Sequence, residues 1–157
     1  MRRWLYWWGP VVAMMALIAL CSTDLFSSSN TRWLVKLLLS LFDWRLRPWE
    51  PEAAYTPGEG WLRKSAHFTE YALLAASVFR ALRGVVPERG RWFWAAGALA
   101  WTIAWASLDE YSQHAHILST DRTGSVWDVV IDASGGMAAV VILLVCSSYA
   151  PGRVSTD

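Results

Sequence analysis

Residues 92–116 read WFWAAGALAWTIAWASLDEYSQHAH: an apolar, tryptophan-rich run that closes on two acids, a glutamine and two histidines. The stretch from Trp92 to Asp109 is close to the roughly 17 residues that a helix needs at minimum to cross a bilayer. A spanning helix that ends in acids places those acids at a membrane surface or inside a helix bundle, since an ionisable group facing lipid is costly. Working outward, three further stretches have comparable length and apolarity, at 4–22, 66–83 and 126–148. Composition agrees. Charged residues are 17 % of the 157, against about 25 % in soluble domains, and apolar types reach 55 %. The expectation is an all-α membrane protein forming one domain over 1–157, with four transmembrane helices in a bundle.

Between the first two spans, residues 31–47 (TRWLVKLLLSLFDWRLR) intersperse Arg32, Lys36, Asp43 and Arg47 with Leu and Trp. Such a pattern predicts an amphipathic helix lying in the interface rather than a fifth span. Pro48, Pro51, Pro57, Gly58 and Gly60 then predict an irregular connection. The N-terminal run has Leu20 directly before Cys21 and no Ala-x-Ala pattern after it, so it reads as an uncleaved first span.

Trp4, Trp7, Trp8, Trp61, Trp92, Trp94 and Trp127 fall near predicted span ends, where indole rings favour the headgroup level. Trp101 and Trp105 lie within the third span, four residues apart, and read as helix-packing bulk. Orientation follows the basic residues. Arg2 and Arg3, the group Arg80, Arg83, Arg89 and Arg91, and Arg153 share one side. Against them stand Arg63, Lys64 and Arg122, with Arg32, Lys36, Arg45 and Arg47 in the long interfacial segment. Both termini are expected to be cytoplasmic, and Cys21 and Cys146 to lie at opposite ends of their helices, too far apart to bridge.

That topology gathers polar residues at the outer ends of spans two, three and four. Lys64, His67 and Tyr71 share a helical stripe, with Glu70 beside His67. Asp109, Gln113 and His116 share a face if the third helix continues, and Glu110 and His114 share the next. Asp121 and Arg122 precede span four, whose start carries Asp128 and Asp132 one turn apart, followed by Gly135 and Gly136.

Several chemistries fit poorly. A net charge of +1 offers no basic surface for nucleic acid. The donor types suit a metal, but neither a His-Glu-x-x-His helix nor a Cys/His quartet occurs, so no metal or other cofactor is expected. Ser65, Ser112 and Ser125 lack a Gly-x-Ser-x-Gly elbow and read as caps or backbone hydrogen bonders.

The combination Lys64-x-x-His67-Phe68-x-x-Tyr71-x-x-Leu74, Asp109-Glu110-x-x-Gln113, Arg122, Asp128 and Asp132-x-x-Gly135-Gly136 resembles the VanZ-like membrane proteins over about residues 60–145. The resemblance implies a small multi-pass protein of the bacterial inner membrane, connected with resistance to teicoplanin-type lipoglycopeptides. Ser119-Thr120-Asp121 replaces the Pro-Gly-like turn frequent in the family, and Asp132 stands where Asn is common.

On this reading an outward-facing polar pocket binds an amphiphile, either a lipid-linked wall precursor or a lipoglycopeptide, amid membrane lipids. Lys64 and Arg122 contact phosphate or carboxylate. Glu70, Asp109, Glu110 and Asp128 hold the cations and His67, Tyr71 and Gln113 add neutral hydrogen bonds, and Asp132 belongs to the same ligand-binding set. Two alternatives stand beside it: an enzyme acting on a lipid headgroup with Glu110 or His67 as general base, and an assembly subunit whose polar cluster joins helices.

Overall fold

The computed structural model describes residues 2–23, 56–115, 117 and 125–149, with the side chains of 56–60, 62, 63, 148 and 149 left aside. The predicted interfacial segment 31–47 lies outside the described residues. Helices α1 (Arg2–Cys21), α2 (Thr56–Val85), α3 (Arg91–His114) and α4 (Val126–Tyr149) are joined in one bundle, with a short 3-10 turn at Pro87–Arg89 between α2 and α3.

Helix α2 is the centre of the packing and touches each of the other three. Its buried residues Tyr71, Leu74, Ala75, Val78 and Phe79 repeat at three- and four-residue intervals, which puts them on one face. Small residues let the neighbours close in. Ala75 of α2, Ala95, Ala98 and Ala106 of α3, and the glycines of α4 line the contacts. A Cβ on Gly135 would land on the Phe68 carbonyl oxygen, and one on Gly136 would stand 2.9 Å from Thr102 Cγ2. The glycine pair therefore sets how near α4 lies to α2 and α3.

Contacts fix the direction of each helix. Trp7 of α1 covers Gly84 near the end of α2, and Ser22 just after α1 meets Asp109 near the end of α3. Leu82 of α2 meets Gly97 of α3, whereas Glu110 of α3 meets Ser125 at the start of α4. Successive helices thus run antiparallel. The end of α3 and the starts of α2 and α4 come together, as the sequence predicted.

Two boundaries differ from expectation. Helix α2 begins ten residues early and absorbs Pro57, Gly58 and Gly60, which were expected in an irregular connection. Proline suits the first turn, where its missing N–H has no helical acceptor to lose, and a glycine costs only about 1 kcal/mol. Helix α3 runs on to His114, carrying Asp109, Glu110 and Gln113 as helical residues. At the turn before it, Gly90 adopts φ +78°, a left-handed conformation that side chains disfavour.

Helices α1 and α4 are each long and apolar enough to cross a membrane. Helices α2 and α3 do not reach that standard among the described residues, because His67, Glu70, Arg80 and Arg83 dilute one and the polar end dilutes the other. Four transmembrane helices therefore become four long helices, two of them spans by composition alone. The exterior is nonetheless apolar along the bundle: Leu17, Leu73, Ile103, Met137, Val141 and Ile142 are exposed. Exposed Trp4 and Trp92 mark one end, and Trp61 and Trp127 the other. Large apolar surfaces of this sort mark a membrane or protein partner. Cys21 and Cys146 fall at opposite ends and are not joined.

Candidate functional site

The converging ends of α2, α3 and α4, with the exit of α1, form a polar cluster. Asp109 is buried, and its Oδ2 accepts hydrogen bonds from Ser22 Oγ at 2.9 Å and from Gln113 Nε2 at 3.2 Å. The second bond is the i, i+4 pairing that the continued helix allows. Glu110, also buried, accepts the Ser125 backbone N–H at 2.7 Å through Oε2. Ser125 is the N-terminal cap of α4, since its Oγ accepts the Trp127 N–H at 3.2 Å. Glu110 thereby ties the last turn of α3 to the first of α4, where a carboxylate also suits the positive end of the helix dipole.

Deeper in the bundle the bonding changes. Asp132 is fully buried, at 0 % exposure, and lies two turns into α4. His67 Nδ1 approaches Asp132 Oδ1 to 3.7 Å, within ion-pair range but too long for a hydrogen bond. Among the described residues neither Asp132 oxygen has a hydrogen-bond partner, and the same is true of Tyr71 Oη and Trp105 Nε1. Tyr71 is likewise 0 % exposed. Glu70, Asp109 and Glu110 lie within electrostatic range of both Tyr71 and Asp132, and Asp128 of Asp132. Burying a polar group without a partner costs several kcal/mol against a hydrocarbon reference, roughly 4–8, so this centre is an unusual place.

The expected site residues divide accordingly. Tyr71, Asp109, Glu110, Gln113 and Asp132 are buried together, His67 and Asp128 are half-buried, and Lys64 is exposed at the rim. His114 is exposed. Arg122, Asp121, His116 and the turn at Ser119-Thr120 lie outside the described residues. Ser65 and Ser112 donate to backbone carbonyls, of Trp61 at 2.8 Å and Asp109 at 2.7 Å, as caps and helix hydroxyls do. No three His, Cys, Asp or Glu side chains among the described residues are grouped to hold a metal ion.

Two participants escaped the sequence reading. Ser22 sits 87 positions from Asp109, and no periodicity connects them; its only signal is being the first hydroxyl after an apolar run. Trp105 was read as packing, and its ring does pack on the core, but its N–H is buried with no acceptor among the described residues. Trp101, one turn earlier, meets Trp8 with ring centroids 5.6 Å apart, which is packing as expected.

These observations define a class: a helical bundle with an apolar exterior, two helices long and apolar enough to cross a membrane, and a cluster of buried acids at one end. The chain belongs to the VanZ/LLP1 family, whose model matches residues 7–147, nearly its whole length. No curated protein and no solved structure matches it.

Proposed function

We propose that this VanZ/LLP1 member is a multi-pass protein of the bacterial inner membrane, both termini cytoplasmic, that binds an amphiphilic envelope ligand in an outward-facing polar site. The carrying observation is the buried Tyr71–Asp132 centre, whose polar atoms lack hydrogen-bond partners among the described residues. Buried polar groups are satisfied in the great majority of native structures, so a centre left open in this way is suited to a ligand. The apolar exterior and the tryptophans at both ends support a lipid setting. So does the separation of charge: Arg2, Arg3, Arg83, Arg89 and Arg91 are exposed at the end opposite the acids, as a cytoplasmic face requires.

Within this reading the acids have different tasks. Asp109 and Glu110 join helices, which is what the assembly reading foresees for the cluster, while Tyr71 and Asp132 face the ligand and Lys64 supplies positive charge at the rim. Glu110 is poorly suited to be a general base, because one of its oxygens already holds the Ser125 N–H. A lipid-linked wall precursor or a lipoglycopeptide fits the amphiphilic requirement, and the family connection extends the proposal to teicoplanin-type resistance.

Native mass spectrometry of the purified full chain tests the binding. A co-purified amphiphile is expected on the wild type and is lost from Asp132→Asn and Tyr71→Phe; a protein that carries no amphiphile in any membrane lipid mixture overturns the reading. Expression in a sensitive Gram-positive host is expected to raise tolerance to a lipid-tailed glycopeptide more than to vancomycin, and an equal or absent effect removes the resistance role.

A further inference from the structure

The buried centre has a definite polarity. Asp132 presents two carboxylate oxygens and Tyr71 a phenolic hydroxyl that can accept as well as donate, three oxygens on two helices that have no hydrogen-bond partner among the described residues. Glu70, Asp109 and Glu110 add negative charge within electrostatic range of both, and His67 stands on one side of the carboxylate at 3.7 Å. A phosphate or carboxylate placed here meets repulsion from every acid, whereas a cation relieves the cost of a buried carboxylate.

Geometry narrows the cation. An alkylammonium carries three N–H donors and no acceptor, and a quaternary ammonium carries none. Depth narrows it further. Asp132 lies six residues past Val126, about 9 Å along α4 at 1.5 Å per residue. The headgroup layer on one side of a bilayer is about 5–8 Å thick, so the centre sits close to the boundary between headgroups and hydrocarbon.

Resting on the amphiphile reading above, we infer that the Tyr71–Asp132 centre takes the primary ammonium group of an amine-bearing amphiphile, its three N–H donors meeting the Asp132 oxygens and Tyr71 Oη. Charge-assisted bonds to Asp132 provide the strength, and the count of donors provides selection against quaternary ammonium. Lys64, exposed at the rim, leaves the anionic part of the same headgroup outside the acid cluster.

The full chain reconstituted in nanodiscs of equal parts phosphatidylethanolamine, phosphatidylcholine and phosphatidylglycerol, then released for native mass spectrometry, tests this. Phosphatidylethanolamine is expected to be retained at least about tenfold over phosphatidylcholine, the effect of losing one or two bonds to a charged group. Asp132→Asn is expected to remove about tenfold of that retention and Tyr71→Phe severalfold. Phosphoethanolamine added in solution separates the sources: displacement of the lipid shows that the headgroup suffices, and lipid retention that resists it shows that the chains are required as well, each consistent with an ammonium site. Equal retention of phosphatidylethanolamine and phosphatidylcholine, or preference for phosphatidylglycerol, overturns the ammonium assignment. If that other lipid is still lost from Asp132→Asn or Tyr71→Phe, the amphiphile reading stands alone; if no lipid is held, or neither variant alters retention, both fall. Should Asp132→Asn not fold by circular dichroism, the wild-type lipid preference and Tyr71→Phe decide.

Discussion

The two ends of the bundle treat polar groups that lack a helical or neighbouring partner in opposite ways. At the arginine end, Pro10 lies inside the continuous helix α1 and, lacking an N–H, deprives the Tyr6 carbonyl of its helical donor. Arg80 of α2 fills the gap, donating from Nη1 to that carbonyl at 3.2 Å while its guanidinium lies 4.6 Å from the Tyr6 ring centroid and 4.8 Å from that of Trp7. Trp94 likewise gives its indole N–H to the Val86 carbonyl at 3.0 Å. At the acid end, Asp109 and Glu110 are engaged in the same manner, but Tyr71 and Asp132 beneath them are not. A defect in one place is repaired by a side chain from the next helix, and in the other it persists. Structure needs the first; the second is intelligible as a place for something else.

The largest test of this contrast removes the close approach that creates the acid end. Gly135→Val is expected to destabilise the fold by about 3 kcal/mol, because the added atoms meet the Phe68 backbone, which cannot swing aside. Gly9→Ala, with nothing within 4 Å, is expected to be neutral or stabilising by about 0.5 kcal/mol. Thermal unfolding in detergent compares the pair, and equal midpoints would show that α4 is not seated on α2 as described.

Next in size are the two aspartates. Asp109→Ala strands the Ser22 hydroxyl and the Gln113 amide, and should cost about 2 kcal/mol. Asp132→Asn replaces a fully buried acid, without a hydrogen-bond partner among the described residues, by a neutral side chain of nearly the same shape, and should leave the midpoint unchanged or raise it. A loss of stability at Asp132 as great as at Asp109 would make the whole cluster structural.

At the opposite end, Arg80→Met should cost about 1–2 kcal/mol through the lost carbonyl bond and ring contacts. Pro10→Ala restores a backbone donor for Tyr6 and should recover part of that loss, so the double variant should be more stable than the sum of the two changes predicts. Strict additivity would mean that Arg80 does not serve the proline gap. Smallest is Glu110→Gln, which keeps an acceptor for the Ser125 N–H and should cost about 0.5 kcal/mol, measurable as a modest fall in the same midpoint.

Much of this was legible in advance where it depended on composition and period. The helices over 4–22, 92–109 and 126–148 were readable because apolar length and flanking tryptophans are local properties. Their antiparallel order followed from alternating chain direction. The Asp109–Gln113 bond was foreseeable because both residues belong to one helix, four apart. The helical path through Pro57, Gly58 and Gly60 was not, since local breakers were overridden there. Nor was Ser22, whose partner is supplied by another helix.

The amino-acid sequence by itself determined a helical chain with apolar exteriors and a cluster of acids at one end, because helix formation and the spacing of charges depend on neighbours a few residues away. Which acids are satisfied was decided only by the tertiary structure. Asp109, Glu110 and Asp132 look alike as letters. Their difference arises from what the neighbouring helices bring within about 3 Å, the reach of a hydrogen bond: a hydroxyl for Asp109, a helix N-terminus for Glu110, and for Asp132 a histidine that stops at 3.7 Å.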